Sequence, residues 1–330
     1  MIGFPHSVSP RRRWKALLRY AVQAPSSHNT QPWIFHIAND RVEIYPDRSR
    51  RLRIADRDCR ELFVSVGCAL ENLLVAIEHF GYGHRVDIAE ESEEGEPVAV
   101  VRLTEAGVDS AVRRGLFQEI PNRFTDRSVY ASRPVEGEVL QRLVDCAVEP
   151  SVTVTVSTDA DLRREVEAIV TRANNLQFGD PAWRRELGNW VGKGLLGTSF
   201  LVSKVSQLAV TYLDLSGRTT RGDRNRLETA PAIGMIRTHG NTTRERIQAG
   251  QVLERLWLRA TAEGLCLHPM NQALQIPETK ADTEELFDLD GDAAQIIFRV
   301  GHGDGKPTET PRRPVEDVLQ SSPRSDPARS

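Results

Sequence analysis

Two stretches of this chain read alike, and their similarity is the strongest constraint on how it can fold. Residues 67–81 (GCALENLLVAIEHFG) and 250–264 (GQVLERLWLRATAEG) each run 15 residues from Gly to Gly, with Leu, Glu and Leu at the fourth, fifth and seventh places. Apolar residues recur at helical spacing in both, and a closing Gly is typical of a helix C-terminus. Two strand-like runs follow each helix, which indicates one structural unit present twice.

This repeat predicts an α+β fold of two related halves that arose by gene duplication. A length of 330 residues suits about two domains. We expect helices flanking mostly antiparallel sheets, with the halves packed as an intrachain pseudo-dimer. The first half is assigned to residues 1–115 and the second to 116–320, followed by a disordered tail at 321–330. The alternative is that two Leu-rich amphipathic helices resemble each other by chance.

Composition excludes several classes of protein. Lys and Arg total 43 against 46 Asp and Glu, and a net charge of −3 gives no global attraction for nucleic acid or an anionic membrane. No apolar run reaches the ~18 residues of a spanning helix, and no signal-peptide pattern opens the chain, so we expect a cytoplasmic protein. The four Cys lie singly without metal-ligand spacing, which predicts reduced core residues and no metal site.

The halves differ in one polar turn, which only the first half contains. Residues 24–33 (APSSHNTQPW) place Ser, His, Asn, Thr and Gln between two prolines. Such neutral donors and acceptors suit the edge of a flat heterocycle better than a charged group. The alternative is a polar connection that only caps the strand after it.

An arginine segment occurs only in the second half. Arg123 and Arg127 are four residues apart in RFTDR, so on a helical turn they would share a face with Thr125 between them. Two guanidinium groups and a hydroxyl suit a phosphate monoester. The alternative is a solvated face neutralised by neighbouring acidic residues. Arg312 and Arg313 form a second basic pair, which could equally be an exposed tail.

No sequence motif indicates a catalytic nucleophile. The chain contains no Walker or G-x-G-x-x-G phosphate loop, no G-x-S-x-G and no H-E-x-x-H sequence. A bound cofactor would therefore have to carry any redox chemistry.

Taken together, the motifs APSSHNTQPW, EGLCLHPMNQ, RFTDR and RVGHGDGKPTETPRRPVEDVL resemble the FMN-binding nitroreductase family. More narrowly, they resemble its fused actinobacterial branch, the Acg-type NAD(P)H nitroreductases, from about residue 14 to 319. The resemblance implies that FMN is bound between the polar turn and the arginine segment, with further contacts from the loop after the second repeat helix and from the C-terminal basic pair. The implied FMN ligands are Pro25, Ser26, Ser27, His28, Asn29, Gln31, Arg123, Thr125, Arg127, Pro269, Met270, Asn271, Arg312 and Arg313.

The resemblance also implies a function. Hydride would pass from NAD(P)H to flavin N5 and then to a small-molecule electron acceptor, so that no catalytic residue of the protein is required. The alternative is an FMN-binding or sequestering protein with little turnover. The third possibility is a binding module with a basic patch and no cofactor. Because each half keeps one part of the site, we expect one FMN per chain in a monomer or weak homodimer.

Residues 180–227 are an insertion rich in Trp, Leu and Arg within the second half. This segment resembles the lid of the Acg-type branch, which would cover the flavin and exclude bulky nitro compounds. It could instead be an ordinary pair of packed helices.

Overall fold

A computed structural model of the chain describes residues 9–105, 110–193, 206–207, 211, 216–303 and 310–320. The tail at 321–330 and part of the 180–227 insertion lie outside these described residues. The α+β class is confirmed, since helices pack around two mostly antiparallel sheets. The helices are α1 (Pro10–Ala21), α2 (Arg60–His79), α3 (Gly137–Val144), α4 (Ala160–Gly179), α5 (Pro181–Val191), α6 (Ser216–Glu228), α7 (Thr243–Ala262), α8 (Pro277–Leu286) and α9 (Val315–Val318). The strands are β1 (Trp33–Ala38), β2 (Arg41–Pro46), β3 (Gly83–Ile88), β4 (Ala99–Thr104), β5 (Val152–Ser157), β6 (Ala232–Thr238), β7 (Cys266–Pro269), β8 (Ala293–Gly301) and β9 (Leu319–Gln320).

The two sheets have the same strand order. The first runs β3-β4-β2-β1-β9 and the second runs β7-β8-β6-β5. All pairs are antiparallel except β1 with β9, which is parallel. Each of β1 to β4 therefore has a counterpart in β5 to β8, in sequence order and in space. This shared topology agrees with the prediction of two related halves.

The second half departs from the first between β5 and β6. A two-residue turn at 39–40 joins β1 to β2, whereas α4, α5 and α6 lie between β5 and β6. The insertion therefore begins with α4, earlier than residue 180 where the sequence placed it. The sequence missed this because α4 is an ordinary amphipathic helix with nothing to mark it as additional.

The repeated helices α2 and α7 cross at their glycines. Each helix begins seven residues before its glycine, from Arg60 to Gly67 and from Thr243 to Gly250. A Cβ atom on Gly67 would overlap the carbonyl oxygen of Ile247, and one on Gly250 would overlap that of Val64. Only glycine permits this distance between the two backbones.

We expect Gly67→Ala to lower the free energy of unfolding by about 1 to 3 kcal/mol, because the added methyl group must push two helix backbones apart. Gly137→Ala is the matched control, since nothing lies within 4 Å of a Cβ atom there. Denaturant unfolding of the three proteins measures the effect. Equal stability of both variants would contradict the crossing.

Both halves share one hydrophobic core. Buried residues of α1, α2, β1, α7 and β8 belong to a single cluster that continues across residue 115. Helix α2 is long and apolar enough to cross a membrane by composition, but 89% of its apolar window is buried inside the protein, as expected of a core helix. The domain boundary near residue 115 stays a prediction.

The C-terminal segment leaves the second half and packs on the first. Residues 319–320 form β9, which pairs with β1 of the first sheet at Phe35 and His36. This places Arg312 and Arg313 beside the polar turn.

Candidate functional site

The polar turn has a strained backbone. His28, Asn29 and Gln31 have φ values of 50°, 54° and 50°, in the left-handed region that side chains other than Gly, Asn and Asp seldom adopt. Asn and His enter this region more readily than other side chains, so the strain is greatest at Gln31, where a cost of the order of 1 to 3 kcal/mol is sustained only because the surroundings hold the residue. Here the Ser26 hydroxyl accepts a hydrogen bond from the backbone N–H of Gln31 at 2.9 Å.

The C-terminal segment holds the turn from outside. The Asn29 amide donates to the carbonyl oxygen of Pro311 at 2.9 Å, and the amide oxygen of Gln31 accepts from the backbone N–H of Arg313 at 2.7 Å. The Arg313 guanidinium also lies 3.3 Å from the buried Asp47 carboxylate. Gln31 and Arg313 thus fix the turn in place, and neither lines the cavities described below.

The arginine segment is not helical, so Arg123 and Arg127 do not share a helix face. Thr125 instead forms an isolated parallel bridge with Leu267, beside β7. Three consecutive carbonyl oxygens here accept hydrogen bonds from buried or half-buried arginines. Arg299 donates to those of Asp126 and Ser128 at 3.0 and 2.8 Å, and Arg226 donates to that of Arg127 at 2.7 Å. The backbone that carries Arg127 is therefore held on the protein side.

The turn and the segment meet at a first cavity of about 430 Å³. One wall comes from the turn, the opposite wall from the arginine segment, and the C-terminal residues Thr310 and Arg312 close one side. This cavity is lined by Gln23, Pro25, Ser26, His28, Asn29, Ile120, Pro121, Asn122, Arg123, Phe124, Thr125, Arg127, Thr310 and Arg312.

Three arginines give this cavity its charge. Arg123 is buried, donates to the carbonyl oxygen of Gln23 at 3.1 Å and lies 3.2 Å from the Glu254 carboxylate. Arg312 donates to the same carbonyl oxygen at 3.2 Å. Burial, followed by repulsion from Arg123, lowers the pKa of Arg312 to about 10. The alternative of a solvated face does not apply to Arg123, because its side chain is buried and its carboxylate partner is Glu254.

Arg127 is the least compensated of these cations. Its side chain is exposed to the cavities, and none of the described residues forms an ion pair with it. Burial among neighbouring atoms, together with the charge of Arg226, lowers its pKa. A cation in this position favours the binding of an anion.

A second cavity of about 380 Å³ adjoins the first and shares Pro25, Ser26, His28, Thr125 and Arg127 with it. Its wall differs from that of the first cavity, since it contains three large aromatic side chains and five side-chain amides. The remaining lining residues are Ser27, Glu61, Val64, Ser65, Cys68, Asn174, Gln177, Phe178, Trp183, Leu187, Asp223, Arg226, Leu253, Trp257, His268, Pro269, Asn271, Gln272 and Gln275.

Several polar atoms at the two cavities have no partner. His28 Nδ1 and Trp183 Nε1 are buried without a hydrogen bond to any described residue, whereas the buried Glu254 carboxylate behind them is paired with Arg123. Burial lowers the pKa of His28 and raises that of Glu254 to about 7. Buried polar groups are normally satisfied, so these atoms indicate a site built to bind a polar ligand.

Helix α5 covers the second cavity from the insertion. Its Glu186 carboxylate accepts hydrogen bonds from the backbone N–H groups of Ile54 and Ala55 at 3.1 and 2.9 Å, which ties α5 to the first half. Trp183 packs on Phe178 with their ring centroids 4.9 Å apart. Helix α5 thus contributes Trp183 and Leu187 to the wall of the second cavity, and its role as a lid stays a prediction.

Most of the predicted ligands line the cavities, but three do not. Pro25, Ser26, Ser27, His28, Asn29, Arg123, Thr125, Arg127, Pro269, Asn271 and Arg312 do so. Met270 is fully buried in the core under α4, because its side chain points away from the site. Gln31 and Arg313 lie in the contact between the turn and the C-terminal segment.

Sequence reasoning missed other residues of the site. Gln23, Glu61, Trp257 and His268 line the cavities, and Glu254 lies behind them. Trp257 and Glu254 could have been found, since the repeat helix places both on its inner face. His268 directly precedes the predicted ligand Pro269. The alternation of side chains along the short strand β7 did not indicate that His268 faces the site.

Comparison with known proteins finds relatives that match nearly the whole chain. No family model matches the chain. A protein of Mycobacterium tuberculosis described as "Putative NAD(P)H nitroreductase" is 29% identical over 318 residues, covering 93% of this chain and 90% of the relative. A second from that organism, "Putative NAD(P)H nitroreductase acg", is 26% identical and covers 92% and 94%. The resemblance to Acg-type nitroreductases is therefore confirmed as homology over nearly the whole chain.

A solved structure shows a more distant similarity. The FMN-dependent nitroreductase NfnB of Mycobacterium smegmatis, determined in complex with NADPH, is 18% identical with a TM-score of 0.44. The match covers 63% of this chain and 98% of that one.

Proposed function

We propose that this chain is an FMN-dependent oxidoreductase of the nitroreductase type, which passes reducing equivalents from NAD(P)H to a small-molecule acceptor. One observation carries the proposal. The polar turn of the first half and the arginine segment of the second half line the same two adjoining cavities, with cations at one end and aromatic and amide groups at the other. The homology to NAD(P)H nitroreductases supports it.

The first cavity suits the phosphate end of FMN. Arg123, Arg127 and Arg312 present guanidinium groups there, with Thr125 and Ser26 beside them. Paired donors of this kind match phosphate oxygens, and an anion would compensate Arg127. Both cavity volumes lie within the roughly 300 to 1000 Å³ typical of small-molecule sites.

The second cavity suits the flat ring of FMN. Trp257 and Trp183 offer apolar faces, whereas Ser27, His28 and Asn271 offer polar atoms for a heterocycle edge. Bound FMN would supply the hydride and electron chemistry. The residues of this chain would bind the cofactor, orient it and, through α5, exclude water from it.

One site per chain is part of the proposal. In the first half, Glu71 occupies the position that corresponds to Glu254 of the second half. Its carboxylate forms ion pairs with Arg113 and Arg255, at 2.7 Å from each. Both arginines are engaged by further carboxylates, Arg113 by Glu78 and Arg255 by Glu149, and neither lines the two cavities described above. This fits a duplicated ancestor that lost one of two sites. We further propose a cytoplasmic monomer or weak homodimer without nucleic-acid or membrane partners.

Two measurements test the function. Titration of the protein with FMN should saturate at one FMN per chain, and anaerobic NADPH or NADH should then bleach the flavin absorbance within a turnover time. A ratio near two would contradict the single site. Tight FMN binding without bleaching would favour the sequestering alternative, in which α5 would deny NAD(P)H access to a flavin in the second cavity. Failure to bind FMN would overturn both.

A further inference from the structure

His268 is held by a neighbour that fixes where its proton resides. His268 on β7 pairs with Arg299 on β8 in the sheet register, and the Arg299 Nε–H donates to His268 Nδ1 at 3.2 Å. A guanidinium group has only donors and stays protonated, so Nδ1 must be the unprotonated nitrogen of the ring. The single proton of the neutral imidazole is then on Nε2.

Arg299 cannot easily move away from this position. It is fully buried, and its other nitrogens donate to the carbonyl oxygens of Asp126, Ser128 and Arg226. Its guanidinium also lies 3.8 Å from the ring centroid of Tyr130. The tautomer of His268 is therefore set by a rigid group of the core.

The surroundings of His268 oppose a second proton. Burial is the largest effect, and the charges of Arg127, Arg299 and Arg226 add to it, so the pKa lies well below its ordinary value. These cations belong to the arginine segment, to β8 and to α6. Asp223 faces the same region, but its carboxylate accepts from Arg226 at 2.8 Å, from Asn174 at 2.8 Å and from Gln272 at 3.0 Å.

The imidazole lines the second cavity, and none of the described residues accepts a hydrogen bond from Nε2. We propose that His268 is a permanently neutral donor that presents Nε2–H to a carbonyl oxygen or unprotonated ring nitrogen of the bound heterocycle. This inference rests on the proposed flavin function for the identity of the ligand. It assigns His268 to ligand recognition. It also excludes His268 as a proton donor in the reaction, because the neutral ring must keep its proton on Nε2 to form this hydrogen bond.

The tautomer is tested without any ligand. Protein labelled with ¹⁵N in its imidazole rings is studied by two-bond ¹H–¹⁵N correlation from pH 5 to 8, and His268→Gln identifies the signal. We expect an Nε2-protonated ring whose shifts do not change with pH. A ring that titrates near the ordinary value of about 6.5, or one protonated on Nδ1, would overturn the proposal.

Ligand recognition is tested with two amide variants. The amide nitrogen of Gln can occupy the place of Nε2, so His268→Gln retains the donor. The amide oxygen of Asn can occupy the place of Nδ1, so His268→Asn retains the acceptor for Arg299 and loses the donor. We expect FMN affinity within about 2-fold of wild type for His268→Gln and about 2- to 10-fold weaker for His268→Asn.

Thermal unfolding of both variants provides the structural control. Equal losses of FMN affinity in the two variants would show a packing role and contradict the donor assignment. If wild type itself failed to bind FMN, the proposed function would fall. The ring spectra would still decide whether His268 is a fixed donor.

Discussion

Glu71→Gln is expected to lower the free energy of unfolding by about 3 to 5 kcal/mol, the effect of breaking a buried ion pair from one side. Glu71 is fully buried, and its carboxylate accepts hydrogen bonds from Arg113 at 2.7 and 3.0 Å and from Arg255 at 2.7 and 2.9 Å. A neutral amide would remove the carboxylate that the two arginines share and leave each with a single carboxylate partner, Glu78 for Arg113 and Glu149 for Arg255.

The pH dependence of this effect has a definite sign. Burial alone would raise the pKa of Glu71, but Arg113 and Arg255 lower it to about 2, from an ordinary value of 4.5. The contribution of the ionised carboxylate is therefore fully present above pH 4.5 and is lost as the pH falls from 4.5 towards 2. The difference between wild type and Glu71→Gln should shrink over that range. Denaturant unfolding at several pH values measures it.

Glu254→Gln is the matched control, because Glu254 occupies the equivalent place in the repeat. Burial raises its pKa to about 7, against the charges of Arg123 and Arg312. Between pH 4.5 and 7 the folded state then holds a proton that the unfolded state has released, so the stability supplied by Glu254 decreases as pH rises through this window. We expect Glu254→Gln to be far less harmful than Glu71→Gln above pH 7. Equal losses would contradict the different electrostatics of the two positions.

The repeated unit could be predicted from the sequence because the periodicity of a helix or a strand is a local property. Glycines that close the repeats were predicted to end helices, and Gly81 and Gly264 do so with φ values of 81° and 70°. The α+β class and the strands after each repeat helix followed from the same pattern, whereas the pairing of the turn with the arginine segment was implied by the family resemblance.

The electrostatics could not be read in the same way. Glu71 and Glu254 are equivalent letters in the two repeats, yet their pKa values shift in opposite directions. Their partners come from positions distant in sequence, with Arg113 and Arg255 around one and Arg123 and Arg312 around the other. The non-helical backbone at Arg123 was likewise set by tertiary contacts, in particular the bridge of Thr125 to Leu267. Local spacing does not contain such information.

Arg127→Ala is expected to weaken FMN binding by about 10- to 100-fold while leaving the protein at least as stable as before. The loss corresponds to one charge-assisted hydrogen bond to the ligand. Stability should not fall, because no described residue forms an ion pair with Arg127 and the repulsion by Arg226 exceeds the attraction by Asp223. A substitution that weakens ligand binding without lowering stability indicates a side chain positioned for the ligand.

Riboflavin separates the two ends of the site. It lacks the phosphate group, so Arg127→Ala should weaken FMN binding and leave riboflavin binding unchanged if the guanidinium contacts the phosphate. Arg127→Lys keeps the charge without the paired donors and should fall between wild type and Ala. Arg85→Ala is the surface control, since Arg85 is 75% exposed on β3, the edge strand of the first sheet. Fluorescence titration of each flavin gives the affinities, and denaturant unfolding gives the stabilities.

Arg123→Ala completes the comparison within the same cavity. Unlike Arg127, Arg123 lies against Glu254 and over Trp257, with its guanidinium 4.8 Å from the ring centroid. Its removal should cost both FMN affinity and stability, because Glu254 loses its nearest cation in a buried site. Unchanged FMN affinity in Arg127→Ala and in Arg123→Ala would mean that the phosphate does not lie in the first cavity. A loss in Arg127→Ala that is equal for FMN and riboflavin would instead place Arg127 against the flavin ring.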